Sequence, residues 1–555
     1  MNKKVCSFPI LFALLALVVG TCAVVFPASA QATPSSTGSI TVSGTVASSY
    51  DAYQIFSANV VDGDNDAKIA TDLAWANDAA RDAVLPVLHS AGMPNSQTTA
   101  QETAEWLNTD SHLTSALSAQ LARSLQSSGA VPVALNAGTT AELPCGYWLI
   151  VADDDAIAQG EAGTAPIMAL VGGSAVTVKP KAATPKVAKH VLEDSTAAWG
   201  KAADATVADD LYWRLSATVP AGLSAYDTYA VQFVDTMSAG LDPSKVAASM
   251  RVYVAAGADG NFDAVSTGKD GRAGTEPAKG WTDITAQCAT KVATDGTFTV
   301  RTGDLIAALG GADAFAAGAR VVAVYSAPLN SACNHGIAKG NPNEVYLRYP
   351  RSPFADQSGD AGFTRTPSDD ACAYTWDLAL TKRGSDGDKP LAGAVLSITD
   401  DRGRTLAADG TWDAEGKATV TTGEDGRVTV SGVDSGKLAV RELKAPKGYT
   451  AFEGTRSVTV KAEGLDVDQV AAAKPKLTIT AESPLRADSA DGSTGSLEAS
   501  LINTPTGAPP STITGGFMPS TGDMAMYAAA AAAVAGAALI VVALLIKRGG
   551  GSHTE

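Results

Sequence analysis

Aromatic residues make up only 6% of this chain, His numbers 5, and Lys+Arg at 41 falls short of Asp+Glu at 58. The formal charge of −17 repels phosphate backbones, so nucleic-acid binding is not expected. Cys numbers 6, too few for a disulfide-dense scaffold, and Cys6 and Cys22 sit in an N-terminal apolar run. Cys145, Cys288, Cys333 and Cys372 remain; in an exported chain they permit disulfides, Cys333 with Cys372 or Cys288 among them, although spacing does not specify pairing. There is no G-x-S-x-G, no P-loop and no Cys/His zinc spacing, so neither a metal, a cofactor nor an enzyme is expected. Asp62, Asp64 and Asp66 start like a calcium loop, but Ala67 and Leu73 occupy its turn-glycine and glutamate positions. What the chain does have is 45% hydrophobic residues, 53 Gly and 26 Pro over 555 residues, a composition suited to short strands and turns. At roughly 150 residues per domain, that length corresponds to three or four domains.

The two ends define the compartment. Residues 1–30 read as a signal peptide: Lys3 and Lys4, an apolar stretch from Ile10 to Val19, and Ala28-Ser29-Ala30 before Gln31. At the other end Ala525 to Ile546 gives 546 − 525 + 1 = 22 uncharged residues, enough for a transmembrane helix, followed by Lys547 and Arg548. Immediately before it lies Met518-Pro519-Ser520-Thr521-Gly522. Pentapeptide, span and basic tail in this order resemble the cell-wall sorting signal of Gram-positive surface proteins, Leu-Pro-x-Thr-Gly, with the similarly sized Met518 in place of Leu. The resemblance implies that a sortase cleaves between Thr521 and Gly522 and passes the Thr521 carbonyl, as a thioester, to an amine. The product is a protein linked to peptidoglycan.

Three segments lie between. Residues 31–183 begin with strands at 39–42 and 53–56, and strands return at 146–151 and 167–171. Between them, from Lys68 to about Gln126, Ala74, Trp75, Ala79, Val84, Leu85, Trp106, Leu107, Leu113, Leu117 and Leu121 follow helical spacing. A β-sandwich with inserted helices is expected. Residues 184–370 alternate apolar and polar residues in short runs parted by Gly-rich turns, as in Leu211–Leu215, Tyr229–Val234, Arg251–Val254 and Arg320–Tyr325, which points to a second sandwich. Residues 371–504 form a third, smaller strand-rich segment, and a Pro/Gly/Thr linker fills 505–517 before the sorting signal at 518–555. The expected fold is therefore mainly β: tandem immunoglobulin-like (Cna-type) sandwiches with a C-terminal transmembrane helix.

Strand alternation singles out a lysine in the third segment. Leu378, Leu380 and Lys382 share one face, Glu442 lies two residues after Val440, and Asn503 ends the last strand. Burial disfavours both a charged lysine and a charged glutamate. A neutral lysine amine can attack an asparagine carboxamide, release ammonia and leave a Lys–Asn isopeptide bond, with the acid assisting. Glu442-Leu443-Lys444-Ala445-Pro446-Lys447-Gly448-Tyr449 resembles the E-box of the Cna B-type pilin domain, whose leading-strand lysine precedes a run like Pro390-Leu391-Ala392-Gly393-Ala394. That resemblance implies a bond between Lys382 and Asn503 assisted by Glu442. The second segment resembles the middle isopeptide-forming domain of fimbrial subunits. Lys189 and Asn343 are assigned as the bonded pair with Asp235 assisting; Lys186 and Asn341 are rivals, because Tyr349-Pro350-Arg351-Ser352-Pro353 departs from the family run.

Between the first two segments, Val176-Thr177-Val178-Lys179-Pro180-Lys181 resembles the pilin motif of major pilins, with Lys179 in place of its Tyr and Ala182 in place of its Asn. Lys181 is the expected polymerising amine, Lys179 the alternative, and proline should leave the following side chain off the ladder. Together these features resemble the backbone pilin of Gram-positive sortase-assembled pili. The implied partners are a pilus-type sortase, a wall-anchoring sortase, identical and minor pilin subunits, and peptidoglycan. The rival expectation is a monomeric or tip adhesin that binds host surface ligands and has no need of Lys181.

Overall fold

The structure, a computed structural model, describes residues 36–64, 67–109, 112–163, 165–180, 184–267 and 273–507. The expected signal peptide at 1–30, Lys181, Met518–Gly522 and the expected span at 525–546 lie outside the described residues. Among the described residues no helix is long and apolar enough to cross a membrane. The described residues are mainly β; the longer helices lie near the N-terminal end, and the short helices Val246–Ser249, Leu305–Ala308 and Ala312–Phe315 lie in the middle part.

In the N-terminal part, the strand Gly146–Ala152 is buried at every residue because both its faces are covered. Tyr147, Leu149 and Val151 pack with Val84, Leu88, Leu121 and Leu125 of the helices Asp78–Ser90 and Ser115–Ser127. Trp148, Ile150 and Ala152 pack on the other side with Ile40 and Val42 of the small sheet formed by Thr37–Val42, Thr140–Pro144 and Val176–Val178. The helix starts are fixed locally: Asn77 accepts from Ala80 N, and Thr99 with Glu102 forms a capping box. One sequence expectation is corrected here. The helical reading from Lys68 fails over its first residues, because Lys68–Trp75 is a strand antiparallel to Ser49–Asp62 and helix begins only at Asp78. The pairing of Phe56 with Trp75 and of Val60 with Ala70 outweighs the alanine-rich composition.

The middle part consists of two facing sheets. The first runs Ala198–Gly200, Lys186–Glu193, Tyr212–Val219, Ala319–Ser326, Arg251–Ala256, Thr282–Asp283. The second runs Ala202–Asp204, Asp369–Tyr374, Asn341–Pro350, Gln232–Met237, Thr297–Arg301, Ala289–Val292. Trp213, Leu215, Val321, Ala323 and Tyr325 from the first meet Phe233, Phe298, Val345 and Leu347 from the second in one core. Period-two alternation aims these side chains inward.

The C-terminal part repeats the two-layer plan. One sheet has the order Arg427–Val433, Trp376–Gly384, Ser496–Pro505, Tyr449–Thr450, and its first and last strands in sequence run parallel side by side, Lys382 opposite Leu501 and Gly384 opposite Asn503. The other is built around Val395–Thr399, Gly436–Lys444, Thr455–Glu463 and Lys476–Ala481. The strand Asp369–Tyr374 spans the expected junction at 370/371: it pairs within the middle sheet, Ala371 and Ala373 enter the middle core, and Cys372 and Tyr374 enter the C-terminal core. No disulfide joins Cys145, Cys288, Cys333 or Cys372, so the conceivable pairings of Cys333 are not formed. Cys145, Cys333 and Cys372 pack in separate apolar cores as small hydrophobic residues.

Candidate functional site

Two buried clusters stand out, each with a lysine, an acid and an asparagine. In the C-terminal part, Lys382 and Asn503 come from the neighbouring parallel strands, and Glu442 comes from Gly436–Lys444 in the opposite sheet. Lys382 is fully buried. Its Nζ lies 3.5 Å from Glu442 Oε1 and 3.3 Å from the Leu501 carbonyl. Asn503 Nδ2 donates to both Glu442 oxygens, at 2.9 and 3.0 Å, and Phe452 N donates to Oε2 at 3.1 Å. The Asn503 carbonyl oxygen is buried with no hydrogen-bond partner among the described residues. Burial pushes the Lys382 amine down to about 8, against the opposing pull of Glu442.

The residues after Glu442 shape its surroundings. Gly448 has φ of +84°, a conformation that favours glycine, and turns the chain into Tyr449–Thr450. Those two residues pair with Pro505 and Thr504, which seats the last strand beside the glutamate loop. The Tyr449 hydroxyl donates to Asp386 at 2.8 Å and ties the same turn to the end of the lysine strand.

In the middle part the lysine and the asparagine lie in different sheets. Lys189 comes from Lys186–Glu193 in the first sheet; Asp235 from Gln232–Met237 and Asn343 from Asn341–Pro350 come from the second. All three are fully buried. Lys189 Nζ forms a close ion pair with Asp235 Oδ2. It also donates to the Tyr325 hydroxyl at 2.9 Å and lies 5.5 Å from the centre of a Trp213 ring. Tyr325 donates to Asp235 Oδ2 at 3.1 Å and accepts from Asn343 Nδ2 at 2.8 Å. Asp235 Oδ1 and Asn343 Oδ1 have no hydrogen-bond partner among the described residues. Burial pushes Lys189 down to about 8 and Asp235 upward, so both move toward their neutral forms. The backbone at Lys189 is pinned as well: its N–H donates to Asp369 at 2.7 Å, and its carbonyl accepts from Lys201 Nζ at 2.8 Å.

The rivals occupy different positions. Lys186 is exposed at the start of its strand. Asn341 is buried, but its carboxamide is spent on backbone: Oδ1 accepts from Asn334 N at 2.8 Å, and Nδ2 donates to Asn334 O at 2.9 Å. Lys179 is exposed just after Val176–Val178. Sequence reasoning missed Tyr325. Its one signal is alternation, which puts it on the same inward face as Val321 and Ala323; which residues it meets depends on cross-sheet register that no single segment carries. Among the described residues no group of His, Cys, Asp and Glu is arranged to hold a metal ion.

Residues 377–474 match a family model described as SpaA, a prealbumin-like fold domain. This stretch includes Lys382 and Glu442 and lies within the segment 371–504 for which a Cna B-type domain is expected.

Among individual proteins, the chain is 30% identical over 143 residues to the trypsin-resistant surface T6 protein of Streptococcus pyogenes serotype M6. The aligned stretch covers 24% of each chain, so it spans about a quarter of that relative's length. Among solved structures, the T6 backbone pilin of serotype M6 S. pyogenes matches 86% of this chain and 100% of its own at 16% identity and a TM-score of 0.46. The full-length major pilin SpaD of Corynebacterium diphtheriae matches 84% of this chain and 97% of its own at 15% identity and a TM-score of 0.41.

Proposed function

We propose that this protein is the major shaft subunit of a sortase-assembled pilus on a Gram-positive cell surface. It would be exported, made of three β domains at about 31–183, 184–370 and 371–504, and hardened by two self-formed Lys–Asn bonds. The observation that carries this reading is the burial, twice over, of a lysine, an acid and an asparagine in one hydrogen-bonded cluster. Isolated buried ions are costly, and three such groups gathered without solvent are what an internal condensation needs.

The reaction follows from the chemistry of those groups. A proton passing from the lysine to the acid leaves a neutral amine and a carboxylic acid. The amine nitrogen attacks the asparagine Cγ, the acid protonates the departing nitrogen, and ammonia leaves as the amide forms. The acid recovers its proton from the attacking nitrogen, so nothing is consumed besides the two side chains. In the C-terminal domain the pair is Lys382 and Asn503 with Glu442; in the middle domain it is Lys189 and Asn343 with Asp235. The protein is a substrate of sortases and not itself an enzyme. Thr521 of one subunit would be joined to Lys181 of the next, and the last subunit to peptidoglycan.

The test is an immunoblot of wall extracts with the native chain and with Lys181→Ala. A high-mass, SDS-resistant ladder in the native chain that collapses to a single wall-linked band in the variant is the expected result. A ladder that survives Lys181→Ala and vanishes in Lys179→Ala would move the acceptor. A single band in the native chain would favour a monomeric or tip adhesin.

A further inference from the structure

The two clusters are not copies of one another. Glu442 is long enough to contact both reacting side chains itself, Lys382 at 3.5 Å and Asn503 at 2.9 Å. Asp235 is one methylene shorter. It holds Lys189, but among the described residues no hydrogen bond joins it to Asn343, whose Nδ2 donates instead to the Tyr325 hydroxyl. That hydroxyl lies within hydrogen-bond distance of all three of the other groups: 2.9 Å from Lys189 Nζ, 3.1 Å from Asp235 Oδ2 and 2.8 Å from Asn343 Nδ2.

We infer that Tyr325 is a catalytic residue of the middle site, carrying a proton between Asp235 and the departing nitrogen of Asn343. This rests on the reading that Lys189 and Asn343 condense. From the neutral amine and the protonated Asp235, the Lys189 nitrogen attacks Asn343 Cγ and the new C–N bond forms. The Tyr325 hydroxyl gives its proton to Asn343 Nδ2 and takes the proton of Asp235 in its place. The bond from Cγ to Nδ2 breaks, ammonia leaves, and the excess proton on the former amine returns to Asp235. Asp235 and Tyr325 finish with the protons they began with, and the balance is one amide and one ammonia from one amine and one carboxamide.

The tyrosine is built for relay work. Its ring is fully buried and held edge-on by Phe298, with centroids 4.8 Å apart. Burial, followed by the charge of Asp235, holds its hydroxyl well above the usual phenol range. It therefore stays protonated and passes protons on without ionising. Removing the hydroxyl would leave Asp235 with its contact to the amine and no contact to the leaving group.

The experiment uses the full chain, denatured and digested at intervals after folding, with mass spectrometry following the Lys189–Asn343 and Lys382–Asn503 cross-linked peptides. In Tyr325→Phe the first peptide is expected to form about a hundredfold more slowly, within the usual range for loss of one acid–base group. The second should form at the native rate and so reports that the chain has folded. Asp235→Glu combined with Tyr325→Phe lengthens the acid by one methylene and recreates the reach of Glu442, so it should restore much of the rate. Native-rate formation of the first peptide in Tyr325→Phe overturns the assignment. So does a loss that the double variant fails to restore, because the tyrosine then acts through packing alone. Absence of the Lys189–Asn343 peptide from the native chain contradicts the condensation reading itself, a separate outcome.

Discussion

The middle and C-terminal clusters use the same three residue types with different architecture. In the middle, the lysine and the asparagine belong to facing sheets, so a bond between them would staple the sandwich across its core. In the C-terminal part, the two side chains sit on adjacent parallel strands of one sheet, and only the acid crosses from the other sheet. A bond there would join the first strand to the last, where the chain enters and leaves. Pulling on the two ends would load that bond before the backbone hydrogen bonds between the strands. If both bonds form, the chemistry is indifferent to which layer supplies each group. What it requires is a buried amine, a carboxamide within reach, and an acid that contacts both, directly as Glu442 does or through a hydroxyl as Asp235 does.

The largest effect expected of any single change is loss of an acid. Glu442→Ala should leave Lys382 and Asn503 unlinked, and Asp235→Ala should do the same for Lys189 and Asn343, each without affecting the other bond. The loops closed are 503 − 382 = 121 and 343 − 189 = 154 residues apart in sequence. If chain-entropy estimates for disulfides carry over, each bond contributes on the order of 5 kcal/mol. Differential scanning calorimetry of each variant against the native chain measures this. Equal stability with and without a bond would remove the mechanical argument.

A finer change tests the comparison itself. Glu442→Asp draws the carboxyl back by one methylene, and among the described residues no tyrosine takes part in the C-terminal cluster. Bond formation there should slow by roughly tenfold to a hundredfold, while the middle bond is untouched. A native rate in Glu442→Asp would mean that reach is not what separates the two sites.

The pH dependence gives a smaller signal with a definite sign. Asn343→Ala and Asn503→Ala leave the lysines buried but unbonded. Each amine is pushed from 10.5 down to about 8 by burial, so the folded state binds fewer protons than the unfolded state between those values. Stability of the unbonded variants should therefore rise as pH climbs from about 8 toward 10.5. If the proposed bonds form, the amines of the native chain are amides and contribute no such slope. Denaturant melts across this range should show the gap between native and variant narrowing with pH; a constant gap would contradict the burial of charge.

The smallest effect concerns the contact between the two parts. Asp209 accepts from Arg402 at 2.8 Å and from Arg404 at 2.7 Å, and Asp204 accepts from Trp376 Nε1 at 2.6 Å and from Ser435 N at 3.0 Å. Asp209→Asn should cost about 1 kcal/mol, since Arg402 is half exposed, and should leave both cross-links intact.

Much of this was legible in local sequence. Alternation placed Lys382 on an apolar face, and the resemblance of the Glu442–Tyr449 run singled out the acid; the turn at Gly448 that seats the last strand came only from the structure. What was not legible depended on register between distant segments. Tyr325 and Asn343 meet across two sheets, and Lys201, in the bend between Ala198–Gly200 and Ala202–Asp204, reaches the carboxylate of the distant Asp369. The strand Lys68–Trp75 was misread because its alanines suit a helix and only its partner, Ser49–Asp62, makes it a strand. The Asp204 and Asp209 contacts were equally out of reach, because their partners lie more than 150 residues away in sequence.

The most direct test of the central claim is the intact mass of the exported native chain, with peptide mapping of its cross-links. Two bonds predict a loss of about 17 Da each, the ammonia released, with one linked peptide pair holding Lys189 and Asn343 and another holding Lys382 and Asn503. A mass equal to that of the uncondensed sequence, with all four side chains recovered in unlinked peptides, would contradict it.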